Sequence, residues 1–185
     1  MSGSVVPVEM GAHAGADRPR ILVAGIGNIF FGDDAFGVEV AGLLRDRRMP
    51  DGVRVVDFGI RGLHLAYELL DGFDLLVLVD AMPLGAAPGT VVLFEPDAPT
   101  ASAAPDPTQP SVDAHAISPA VVLGTLEHLG GSVDRVVVVG CQPAVVDQGI
   151  GLSAEVVAAL IPAVELIDEV IADARAGPHR SETPT

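Results

Sequence analysis

Asp33 and Asp34 stand between the apolar run Ile21 to Ala24, followed by Gly25-Ile26-Gly27-Asn28-Ile29-Phe30-Phe31-Gly32, and the helix-like segment that opens with Ala35-Phe36-Gly37-Val38. A strand that breaks at two glycines and resumes as a helix opening on two aspartates sets acidic side chains at the carboxyl edge of a sheet. Open α/β folds place their sites there. The first chemistry to consider is phosphate binding, but a dinucleotide fingerprint needs a third glycine where Phe30 stands. A helix start occupied by its own carboxylates would also repel a pyrophosphate. The pattern favours a cation. Asp33 has an alternative role as a helix cap through its side-chain oxygen. Asp34, placed inside the first turn, has less claim to that role.

A second carboxylate arises in the same way. The run Leu75 to Val79 leads straight into Asp80-Ala81-Met82, and a charge at the end of an apolar strand needs a partner, a metal or water access. The alternative is an Asp turn onto nearby amides. For Asp57, in Asp57-Phe58-Gly59, the turn reading comes first, because Gly59 eases a sharp change of direction. Among the histidines, His13 and His179 fall near the chain ends and His64 and His128 within helix-like segments. His115 comes off a Pro-rich stretch just before Ser118-Pro119, where a loop can deliver it to the sheet edge. By position alone it is a surface residue. Considered with Asp34 and Asp80, it completes an O,O,N donor set suited to a borderline divalent transition ion, with coordination positions left open. No C-x-x-C or H-E-x-x-H is present, which excludes a zinc ribbon or a zincin. Cys141 has no histidine near it in sequence and reads as structural rather than as a nucleophile.

The elements that must position these groups are legible from the punctuation. Strands are expected at Ile21 to Ala24, Val53 to Val56, Leu75 to Val79, Thr90 to Phe94 and Arg135 to Gly140. These are mostly short continuous apolar runs of the kind covered on both faces. Helices are expected from about Asp34 to Arg47, from about Gly62 to Leu70, from Ser118-Pro119 onward, and from Ser153 to about Asp173. The alternation predicts an α/β fold, a largely parallel or mixed sheet sandwiched by helices. Residues 1–19 and 174–185 read as flexible extensions of one domain, 20–173. Glu95 to Val112, with its five prolines, reads as a long surface loop.

Composition narrows the function classes. Twenty-five acidic against 10 basic residues give a net charge of −15, which disfavours nucleic acid and suits a cation or a basic protein segment. No apolar stretch approaches the ~20 residues of a membrane span. One cysteine permits no internal disulfide, and no signal-peptide pattern precedes Arg20. The expectation is a cytoplasmic protein with no membrane partner.

Gly25-Ile26-Gly27-Asn28 with Asp33-Asp34-Ala35-Phe36-Gly37-Val38, then Asp57-Phe58-Gly59, Val79-Asp80-Ala81 and Asp113-Ala114-His115, in this order, resemble the hydrogenase maturation endopeptidases. The resemblance spans roughly Ile21 to Asp173. It implies an α/β three-layer sandwich with a mixed, mainly parallel central sheet. It also implies removal of the C-terminal extension of a NiFe-hydrogenase large-subunit precursor after nickel insertion. By the same resemblance Asp34, Asp80 and His115 engage nickel held by the precursor, so no cofactor is tightly bound and the metal is a recognition feature. Asp34 and Asp80 are the catalytic candidates of an aspartic-type endopeptidase, with either a carboxylate base or a nickel-polarised water or carbonyl as the activating device. Asp34 occupies a position where the family often carries Glu. A non-catalytic nickel-sensing or chaperone module would keep the same three residues without turnover.

Overall fold

The computed structural model describes residues 18–96 and 119–177. Five strands, β1 (Ile21–Ile26), β2 (Val53–Gly59), β3 (Leu75–Ala81), β4 (Val91–Phe94) and β5 (Arg135–Cys141), form one sheet in the order β2-β1-β3-β5-β4. β1, β2, β3 and β5 pair in parallel, and only the edge strand β4 runs antiparallel. Helices α1 (Phe36–Arg45), α2 (Gly62–Leu69), α3 (Pro119–His128) and α4 (Ala154–Ala176) cover it. This is the expected mixed, mainly parallel α/β architecture.

The apolar runs explain the layering. Side chains alternate across a strand, so Ile21, Val23, Leu75, Val77, Val79, Val137 and Val139 pack on one face against Phe36, Val40 and Leu44 of α1 and Val156, Val164 and Ile167 of α4. Leu22, Ala24, Leu76, Leu78 and Val138 pack on the other against Leu65 and Leu69 of α2 and Val122 and Leu126 of α3. Each fully buried side chain of this size contributes roughly 1.5–3 kcal/mol.

Boundaries differ from the sequence reading in an informative way. β1, β2 and β3 each run on by two or three residues, so that Asp57 and Asp80 lie inside strands rather than beyond them. The two aspartates do not open the α-helix. They sit in a 3₁₀ turn, Gly32–Ala35, and α1 begins only at Phe36. α4 continues to Ala176 through the exposed Pro162. The Pro-rich segment beyond Pro96, Ser118 and His115 fall within residues 97–118, outside the described residues.

Glycines allow the turn to sit on the sheet. A Cβ on Gly37 would lie 2.1 Å from the Val79 carbonyl oxygen and 2.3 Å from that of Ile26, and one on Gly27 (φ 137°) would lie 1.7 Å from the Asp34 carbonyl oxygen. The backbone of residues 34–37 therefore rests directly on the ends of β1 and β3. Gly37→Ala is expected to cost about 2–3 kcal/mol, because ladder carbonyls cannot retreat from the new methyl. A thermal melt of the variant checks it.

Candidate active site at the carboxyl edge of the sheet

All four parallel strands deliver their carboxyl ends to one edge, and both candidate carboxylates are found there. Asp80 is the penultimate residue of β3, paired in register with Gly140 of β5. Asp34 follows the neighbouring strand β1, and its Oδ2 accepts a 2.7 Å bond from the Asn28 backbone N–H. The glycine contacts link the two, since Gly37 touches the Val79 carbonyl, one residue before Asp80. Both carboxylates are half-buried. His115 lies outside the described residues, and among the described residues no group of three or more His, Cys, Asp or Glu is arranged to hold a metal ion.

The Asn28 bond bears on the nucleotide alternative. The amide that would cradle a phosphate already donates to a carboxylate, and Phe30 is exposed on the same loop. A phosphate would have to displace a charge-assisted bond while meeting a like charge.

Asp33 has a different role from the cap considered above. The 3₁₀ turn follows Phe31 and α1 follows Ala35, and neither terminus carries a side-chain cap. Asp33 is 0% exposed and binds the β5–α4 loop. Its Oδ2 accepts from the Ala144 and Val145 amides at 2.8 and 2.9 Å and from Ser153 Oγ at 2.9 Å, while Oδ1 accepts from the Ser153 amide at 2.6 Å. Burial acts to raise its pKa. The bonds from the Ser153, Val145 and Ala144 amides and the Ser153 hydroxyl outweigh it, holding the carboxyl below its ordinary 3.8. Ser153 also caps α4, accepting from the Val156 amide at 3.4 Å.

Asp57 departs from the turn reading. The turn after β2 is closed by the Arg61 amide on the Phe58 carbonyl, and the Arg61 guanidinium binds the Phe58 and Asp57 carbonyls at 3.0 and 2.9 Å. Asp57 instead lines an open groove of about 300 Å³ at the carboxyl edge, together with Asn28, Ile29, Phe30, Ile60 and Arg61. Another cavity of about 300 Å³, lined by Leu126, Val133 and Arg135, lies at the amino end of β5, away from both candidate carboxylates.

Cys141 is fully buried, and its thiol is pushed up to about 11, first by burial and then by the nearby Asp33 charge. At neutral pH it is a protonated, inert side chain. Native protein is expected to resist alkylation of Cys141 at pH 8. Mass measurement after thiol-reagent treatment checks it.

The residues that sequence reasoning missed are supporting ones: Asn28, Ser153 as the partner of Asp33, and Gln142. Gln142 Oε1 accepts from the Leu84 amide at 2.6 Å and more weakly from Ala86 at 3.4 Å. A polar residue directly after an apolar strand was the signal that drew attention to Asp80, and it applies equally to Gln142.

The family described as hydrogenase maturation protease matches residues 38–170. The chain belongs to this family. It is 32% identical over 155 residues to the hydrogenase 2 maturation protease of Escherichia coli, covering 80% of this chain and 88% of that protein. Among solved structures, the hydrogenase maturating endopeptidase HybD of E. coli superposes with a TM-score of 0.71 at 30% identity, covering 84% of this chain and 93% of that one. The NiFe-hydrogenase maturation protease HycI of Thermococcus kodakarensis gives a TM-score of 0.66 at 27% identity, covering 85% and 95%. A hydrogenase maturation protease fold thus carries Asp34 and Asp80 at the carboxyl edge of its sheet.

Proposed function

We propose that the protein is an endopeptidase that removes the C-terminal extension of a nickel-loaded NiFe-hydrogenase large-subunit precursor, recognising the nickel held by that substrate through Asp34, Asp80 and His115. The observation that carries this reading is the placement of Asp34 and Asp80 on adjacent segments of one sheet edge in a chain of this family. Two carboxylates and an imidazole supply three donors, and the substrate's own ligands fill the remaining positions. Nickel is therefore part of the substrate and not a resident cofactor. The scissile peptide lies in the open groove beside Asn28 and Arg61, whose apolar rim of Ile29, Phe30 and Ile60 suits an extended chain.

Cleavage requires an activated water. Asp34 or Asp80 serves as its base when not held as a nickel ligand, or the metal polarises the water or the scissile carbonyl. Cys141 takes part in neither, and a carboxylate base is what would make the enzyme aspartic-type. The place of action is the cytoplasm, where a reducing environment keeps the precursor's metal-binding thiols available. Among the described residues no helix is long and apolar enough to cross a membrane.

Incubation with nickel-loaded precursor, followed by mass measurement of the precursor's C-terminus, tests the proposal. Loss of the extension supports it. A stable complex with an intact C-terminus would indicate a docking module. The isolated protein is expected to purify without stoichiometric nickel, since its own donors leave the shell incomplete. Retention of nickel through dialysis at micromolar or better affinity, about −8 kcal/mol or tighter, would mean a resident metal instead.

A further inference from the structure

Asp34 is separated from the end of β1 by residues 27–33, which leave the strand and enter the 3₁₀ turn, so the β1–β3 ladder alone does not fix where it stands relative to Asp80. Besides the contact of Gly37 with the Val79 carbonyl, a second route joins them through β5. Asp80 and Ala81 pair in register with Gly140 and Cys141. The chain then continues through Gln142 and Pro143 to Ala144 and Val145, whose amides are held by the Asp33 carboxylate. Backbone bonds reinforce this route, from Gly32 N to Gly149 O, from Gly149 N to Phe30 O and from Asp33 N to Val145 O. At its start Gln142 grips the segment leaving Asp80, through Leu84 N to Oε1, Gly89 N to Gln142 O and Gln142 N to Thr90 O. At its end Ser153 links Asp33 to the first turn of α4.

We propose that Asp33 and Gln142 are positioning residues that, through the β5–α4 loop, set the spacing of Asp34 and Asp80 to fit the metal centre of the substrate. This rests on the function proposed above. Coordination distances tolerate only about ±0.2 Å, so a ligand on an irregular segment needs bracing. A buried ionised carboxylate with four donors is a stiff brace. Gln142 is a neutral and weaker one, anchored on the opposite side.

The test uses the full chain and nickel-loaded precursor, with kcat and KM measured well below each variant's melting midpoint so that folded fraction does not enter. Asp33→Asn and Gln142→Ala are expected to lower kcat/KM by about 10–100-fold, as loss of groups that orient metal ligands does. Gln142→Glu, which keeps the acceptor for Leu84 but loses the Nε2 donor to the Pro143 carbonyl, is expected to restore part of the rate. Backbone amide NMR gives an arm independent of activity. Asp33→Asn is expected to shift the Asp80, Ala81 and Leu84 amides, and Gln142→Ala those of Asn28 and Asp34. Wild-type kcat/KM in folded variants, or shifts confined to each variant's own segment, would overturn the proposal. If Asp33→Asn does not fold, the Gln142 pair decides. If the wild-type protein does not cleave, the function assigned above fails, and the NMR arm still decides whether the loop couples the two carboxylates.

Discussion

Asp34→Asn is expected to reduce precursor processing by more than about 100-fold, beyond the loss typical of an outer-shell partner, while leaving the protein folded. The contrast follows from the contact this side chain makes. Its Oδ2 accepts a backbone bond from Asn28, and an asparagine carbonyl can accept the same bond. The change in stability should therefore stay near 0.5–1 kcal/mol, the scale of weakening one charge-assisted bond. What the amide lacks is the charge that attracts a divalent ion. Asp80→Asn is expected to lose processing as well, with some change in stability, because Asp80 lies in β3 next to fully buried Val79. His115→Ala should do the same to processing, with a change in stability on the scale of about 0.5 kcal/mol that the sequence reading of His115 as a surface residue predicts. Precursor maturation scored by mass, beside a circular dichroism melt of each variant, separates these outcomes. Full processing by the His115 variant, or activity lost only in proportion to folded protein, would remove these residues from the site.

The sheet was legible because its signal is local. Continuous runs such as Leu75 to Val79 and Arg135 to Gly140 can bury both faces only in a covered parallel sheet, and the structure places them there. The carboxylates at strand ends were legible for a related reason, since polarity changes abruptly where an apolar run meets Asp80. The job of Asp33 was not legible, because its partners Ala144, Val145 and Ser153 are more than a hundred positions away. In sequence, an aspartate before a helix looks the same whether it caps that helix or clamps a distant loop. The 3₁₀ turn was hidden too. It arises because Gly27 and Gly37 let the backbone press onto the strand ends, a tertiary demand that overrides the helical signal of Asp34 to Arg47. Asp57 reads as the turn residue, whereas Arg61, three and four positions on, closes that turn through the Phe58 and Asp57 carbonyls and leaves the Asp57 carboxylate to the groove.

Asp33→Ala is the substitution expected to harm the fold most. It removes the acceptor of four bonds at a 0% exposed site, leaving the Ala144, Val145 and Ser153 amides without that partner. Hydrogen bonds to a charged group contribute about 1.5–3 kcal/mol each, and because Ala144 and Val145 are exposed and Ser153 half-buried, water takes over part of the loss, which should total about 3–5 kcal/mol. For a chain of this size that corresponds to a fall in melting midpoint of roughly 6–20 °C. The same carboxylate makes the wild-type protein sensitive to acid, with a sign set by its lowered pKa. The folded state binds this proton less readily than the unfolded chain, where the value is near 3.8. Its contribution is therefore fully present above that value and is lost as pH falls through it toward the lower folded value. Chemical denaturation of wild type and Asp33→Asn from pH 7 downward isolates this contribution, because the other acidic groups are common to both proteins. The gap in unfolding free energy should be constant near neutrality and narrow below about pH 4, where the unfolded chain begins to take up the proton. A gap that is negligible at pH 7, or that widens in acid, would mean that Asp33 does not hold the loop as an ionised acceptor.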